Sequence, residues 1–148
     1  MKTKLFLIAS MLFAMTFTAC SNDDDQPTIP VVPVTADGFT WKENGTETVH
    51  SAASASFSTT YKTLIAKDAS NATLFEINLS GTTPATYSVD ASNAITYTGV
   101  SPYFTATGGS VIITTNANGK MTGSLRAVGN SGGITMINGT FKNITVIP

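Results

Sequence analysis

Hydrophobic and polar positions fall into three successive patterns along the chain. Leu5 to Phe17 is an almost uninterrupted apolar run behind Lys2 and Lys4. Residues 21 to 37, SNDDDQPTIPVVPVTAD, are polar and proline-punctuated, with no helical period. From Gly38 onward, apolar and polar residues alternate over short stretches. Phe75, Ile77 and Leu79 share one face, with Glu76 and Asn78 on the other. Tyr87 pairs with Val89 in the same way, and Ile95 with Tyr97. Met121, Leu125 and Ala127 alternate with Thr122, Ser124 and Arg126, which puts Gly123 at an inward position. A period of two marks half-buried strands. The unbroken run Val111-Ile112-Ile113 predicts a strand covered on both faces.

Turn residues punctuate these stretches. Asn44-Gly45 separates Phe39-Thr40-Trp41 from Thr46-Glu47-Thr48-Val49 and predicts a hairpin. Asn116-Ala117-Asn118-Gly119 leads into the Met121 strand. Gly129-Asn130-Ser131-Gly132-Gly133 leads into Ile134-Thr135-Met136-Ile137. Ser51 to Ser58, rich in alanine and serine, fits either a strand or a short helical turn. The stretch from 38 to 148 has the size of one domain and can bury a substantial core. It holds all 12 glycines of the chain, 20 threonines and 12 serines, a composition for strands and turns. The expected fold is all-β: an antiparallel meander closed as a small sandwich or barrel, with about eight or nine strands.

The first pattern describes a leader. A short positive region, an apolar run too short to cross a bilayer and a small-residue end make a secretory signal. The chain's only cysteine, Cys20, follows Thr18-Ala19 directly. This layout resembles the lipobox of bacterial lipoproteins, with Phe17 where leucine is commonest. The resemblance implies cleavage after residue 19 and a membrane anchor of acyl chains on Cys20. Each buried methylene contributes about 0.8 kcal/mol, and several chains hold where one alone does not. With no second cysteine, the mature chain has no disulfide.

The expected organisation is therefore a signal peptide over 1–19, a lipidated tether over 20–37 and an all-β domain over 38–148. Pro27, Pro30 and Pro33 favour extended geometry, so the tether reaches roughly 3.1 Å per residue, or about 50 Å. Ser21, Asn22, Asp23, Asp24 and Asp25 form an acidic start. It reads as a solvated spacer, and it also resembles the acidic signal that directs lipoproteins of the Bacteroidota to the cell surface. Three adjacent acids lack the alternating ligand spacing of a calcium loop.

The domain as a whole resembles a group of uncharacterised small lipoproteins of the Bacteroidota. The matching pieces are Phe39-Thr40-Trp41, Thr83-Pro84-Ala85-Thr86-Tyr87-Ser88-Val89, Gly109-Ser110-Val111-Ile112-Ile113-Thr114 and Ile137-Asn138-Gly139-Thr140-Phe141-Lys142-Asn143-Ile144. Ala85 stands where that group usually has glycine. The resemblance implies a compact β-fold on a lipid tether, and the acidic run is what points to the outer membrane. The resemblance brings no catalytic residues.

Candidate chemistry is sparse. His50 is the single histidine, no G-x-S-x-G motif accompanies it, and a strand-end position accounts for it better than a catalytic triad. Metal ligation lacks thiols and clustered acids, so no metal or cofactor is expected. Asp37, Glu43, Glu47, Asp68, Glu76 and Asp90 are the domain's acids, and no spacing favours two of them as a hydrolytic pair. Without Lys2 and Lys4, six Lys/Arg oppose nine acids, a net charge of −3, which excludes a basic nucleic-acid surface.

Binding is the remaining class. Trp41, Tyr61, Tyr97, Tyr103 and Phe104 are candidates for a sugar-stacking platform, although most aromatics of such a domain belong to its core. Tyr103 and Phe104, in the loop-like Ser101-Pro102-Tyr103-Phe104, are the candidate ligand contacts. The leading expectation is a non-enzymatic, surface-exposed binding module for a glycan or an envelope protein. The alternative is a structural or assembly component of the envelope that faces the periplasm.

Overall fold

The computed structural model describes residues 37–148, all of them strand, turn or loop. The described strands are β1 (Gly38–Glu43), β2 (His50–Ser51), β3 (Ser54–Ser58), β4 (Thr63–Lys67), β5 (Thr73–Asn78), β6 (Ala85–Ser88), β7 (Ala94–Tyr97), β8 (Phe104–Thr105), β9 (Gly108–Ala117), β10 (Lys120–Ser131) and β11 (Ile134–Ile147). The fold is all-β, as the alternation predicts. The strands form one mixed sheet that curls into a half-barrel around a single hydrophobic core.

Long hairpins make the backbone of this sheet. β9, β10 and β11 are joined by two-residue turns, Asn118-Gly119 and Gly132-Gly133, all four residues at positive φ. That left-handed geometry matches the twist of the flanking strands, and asparagine and glycine adopt it at least cost. Asn44-Gly45 has the same left-handed pair, yet no tight hairpin follows it. Asn44 is held sideways instead. Its backbone N–H donates to Met136 O at 2.8 Å. Its Oδ1 accepts from Thr135 N at 2.8 Å, and its Nδ2 donates to Gly133 O at 3.0 Å. The expected strand over 46–49 is therefore a loop, and only β2 returns to pair with β1, His50 against Trp41 and Ser51 against Thr40.

Two departures from a simple meander shape the molecule. The sheet path runs β6-β9-β10-β11-β3-β4-β5-β7-β8. One edge of β11 takes β1 antiparallel over Ile137–Lys142 and then β3 parallel over Thr145–Ile147. The handover falls at Asn143, at positive φ, whose N–H donates to Thr122 Oγ1 at 3.1 Å and whose Nδ2 donates to Asp37 Oδ1 at 3.0 Å. The ambiguous Ala/Ser stretch is thus strand, β2 and β3. The second departure is β6, which leaves the β5–β7 neighbourhood to pair with β9. Asn93 ties this excursion back. Its buried carboxamide accepts from Ser80 N at 2.7 Å and donates to Ser88 O at 3.0 Å.

Inward positions build the core. Phe39, Phe57, Phe75, Phe104 and Phe141 are fully buried, each contributing about 1.5–3 kcal/mol by leaving water. Four rings form a chain of contacts: Phe39–Phe75 at 4.8 Å, Phe75–Tyr97 at 4.6 Å, Trp41–Phe75 at 5.1 Å and Trp41–Tyr97 at 5.7 Å. Val111 and Ile113 are buried, whereas Ile112 is half-buried on the other face. β9 is thus covered on one side, and the two-sided cover expected of its apolar run is a correction.

At one end of the core, Trp41 Nε1 donates to Glu43 Oε1 at 3.0 Å. Tyr97 lies beside them. Burial, followed by the hydrogen bond and the charge of Glu43, pushes its phenol up to about 12 from 10.0. Below pH 10 the phenol is protonated in both folded and unfolded chains. Between 10 and about 12 only the unfolded chain loses the proton, so stability falls as pH rises through that window. Tyrosinate absorbance is expected to show one group with a midpoint near 12, absent from Tyr97→Phe. The variant's melting temperature should also fall less than that of the wild type across the window. Equal alkaline losses in both proteins would refute the assignment.

Candidate binding face

The outward side of β3, β4, β5 and the end of β11 carries a different chemistry. Alternation places Phe57, Leu64, Ala66, Phe75 and Ile77 inside. Ser56, Ser58, Thr63, Ile65, Glu76 and Ile147 are left on the outer surface. Pairing sets them side by side: Thr145, Ser56, Ile65, Glu76 and Thr96 lie on adjacent strands in one row, and Ile147, Ser58, Thr63 and Asn78 in the next. Over this surface opens a trough of about 360 Å³, lined by Ser56, Ser58, Tyr61, Thr63, Ile65, Glu76 and Ile147.

Tyr61 forms one rim. It lies in the β3–β4 turn, next to Lys62 at positive φ, and is 79% exposed. Its backbone is held on both sides of the peptide: Tyr61 N donates to Ser58 Oγ at 3.4 Å, and Tyr61 O accepts from Thr63 Oγ1 at 3.0 Å. On the floor, Thr63 Oγ1 also lies 2.7 Å from Asn78 Oδ1, while Asn78 Nδ2 donates to Glu76 Oε1 at 3.1 Å. Ser56 and Glu76 both line the trough, and among the described residues neither the Ser56 hydroxyl nor Glu76 Oε2 makes a hydrogen bond to protein.

The sequence-based candidates land elsewhere. Tyr103 is 64% exposed, but Phe104 begins β8 with its ring turned into the core at 0% exposure. Strand alternation separates the two, and Phe104 is corrected from ligand contact to core residue. Trp41 and Tyr97 are core residues as well. His50 stacks on Trp41 with ring centres 5.3 Å apart and planes 20° apart. The acids go to separate structural tasks. Glu47 pairs with Lys42 at 2.9 Å, and that hydrogen bond and charge hold its carboxyl below the usual range. Asp68 caps its own turn through Ser70 and Ala72, which lowers its carboxyl too. Asp90 accepts from Ser92 N and Asn93 N. Among the described residues, no three His, Cys, Asp or Glu side chains gather where a metal ion could sit. Cys20 and the run Ser21, Asn22, Asp23, Asp24 and Asp25 lie outside the described residues.

No protein family, curated protein or solved structure matches this chain.

Of the trough residues, the sequence singles out Tyr61 as an aromatic candidate and Glu76 as an outward acid, while Ser58 enters only as the end of the Ala/Ser stretch. The usable signal was the hydroxyls of Ser56 and Ser58 bracketing the inward Phe57. What brings Ile147 beside Ser58 is the parallel β3–β11 pairing, which no local pattern announces.

Proposed function

We propose that this chain is a lipid-anchored, non-enzymatic binding module displayed on the outer face of the outer membrane. The observation that supports binding most directly is the trough of about 360 Å³ on the outer sheet, with an exposed tyrosine at its rim. Ligand sites are typically concave, apolar in part and furnished with a few convergent polar groups. The trough has that make-up. The anchor reading rests on Cys20 behind its apolar leader, and the surface reading on Asp23, Asp24 and Asp25. Against catalysis stands the use, among the described residues, of His50 in stacking, of Asp68 and Asp90 in turns and of Glu47 in an ion pair.

Protease treatment of intact cells tests the placement, comparing wild type with a variant carrying Asp23→Ala, Asp24→Ala and Asp25→Ala. Wild type is expected to be shaved and the variant protected. Protection of both, with the outer membrane intact, would favour a periplasm-facing structural component and reject the surface module.

A further inference from the structure

We infer that the trough takes a short stretch of uncharged polysaccharide, a proposal that rests on the binding reading above and names its ligand class. Size argues first. Ligand pockets run from about 300 to 1,000 Å³, and about 360 Å³ falls at the small-molecule end. A stable protein partner covers roughly 800 Å² on each side, far beyond a trough lined by seven side chains. Shape argues next. From β11 to β5 the trough crosses three strand spacings of ~4.8 Å, about 14 Å, an elongated bed suited to two or three pyranose rings in line.

Chemistry narrows the class. A pyranose presents C–H faces and a rim of hydroxyls, and the trough repeats that division. Ile65 and Ile147 give an apolar floor, and the Tyr61 phenol gives an aromatic face with little rotamer entropy to lose. Ser56 offers an unspent hydroxyl that donates and accepts. Glu76 Oε2 offers an unspent acceptor, and a carboxylate makes the stronger, charge-assisted kind of hydrogen bond to a sugar hydroxyl. Among the described residues, Glu76 is the only charged one in the lining, and it makes no salt bridge. A uronate, sulfate or phosphate would bring like charge against Glu76, with no lysine or arginine in the lining to neutralise it. The trough therefore selects against acidic glycans.

The test uses the full chain in detergent micelles on an array of neutral and acidic oligosaccharides, followed by calorimetric titration with maltotriose, cellotriose, chitotriose and trigalacturonate. The expected result is binding confined to neutral glycans. Tyr61→Ala and Glu76→Gln should each weaken it roughly tenfold or more, as loss of an aromatic stacking face or of a charge-assisted hydrogen bond does, and Tyr103→Ala should leave it unchanged. Surface substitutions of this kind barely move stability, so an unchanged melting temperature reports that the fold is intact. Absence of neutral-glycan binding, equal binding of trigalacturonate, or full binding by Tyr61→Ala each overturns the proposal. A photo-reactive residue at position 61 on living cells separates this failure from that of the broader reading. If the array is blank while position 61 cross-links a protein, the saccharide is wrong and the module stands. If both are blank, both fall.

Discussion

Gly123→Ala is expected to lower the melting temperature by roughly 12 °C, a loss of about 3 kcal/mol at the upper end of overpacking costs. Gly123 sits on β10 opposite Ile113 on one side and Phe141 on the other. A Cβ built there would stand 2.1 Å from Ile112 O and 2.4 Å from Phe141 Cζ. The first neighbour is backbone in the middle of a sheet, so it cannot move without disturbing the β9–β10 ladder. The second is a fully buried ring, which can give way only by pushing on the side chains packed around it. A thermal melt of the full chain, followed by far-ultraviolet circular dichroism, reads the effect. A shift of less than about 4 °C, equivalent to about 1 kcal/mol, would mean that the ring does not lie over the glycine.

Phe141→Ala carries the second large expectation, a loss of about 3–5 kcal/mol. Phe141 lies on β11 between Phe39 of β1 and Gly123 of β10, so its ring fills space for three strands at once. Removing it forfeits the burial of the ring and leaves a cavity that strands tied by their ladders on both sides cannot collapse to fill. The glycine opposite makes this worse, because no side chain at position 123 can swing inward to occupy the gap. Phe141→Leu keeps most of the volume and should cost about 1.5 kcal/mol or less. Urea unfolding midpoints order the three proteins as wild type, Phe141→Leu and Phe141→Ala. Near-equal midpoints for the leucine and alanine variants would show that the site relaxes freely and that the packing described here is wrong.

These two positions also show what a reader of the sequence can and cannot extract. The inward placement of Gly123 follows from counting by twos between Met121 and Leu125, because the pleat has that period. Asn118-Gly119 and Gly132-Gly133 announce their hairpins because few residue pairs tolerate two left-handed positions in succession. Phe141 as the ring that covers Gly123 requires register, a property of two strands at once.

The same limit governs the candidate site. Ser56 and Ser58 are recognisably outward, and Ile65 is recognisably opposite to Leu64 and Ala66. Their union with Ile147 depends on the parallel join of β3 to β11, which is set by Asn143 turning the chain over where β1 stops. Tyr103 and Phe104 fail as a pair for a simpler reason. The β8 ladder opposes Phe104 to Tyr97 and Thr105 to Thr96, and Tyr97 faces the core. A loop-like sequence beside a proline concealed a short strand.

The most direct measurement places a photo-reactive amino acid at position 61 or at position 103 in full-length protein on living cells. Both wild-type tyrosines are exposed, at 79% and 64%, so solvent access does not distinguish them. Cross-linking to an envelope component from position 61, and none from position 103, is the result expected if the β3–β5 face is where this molecule meets its ligand. Adducts from position 103 alone, or from neither position, would contradict it.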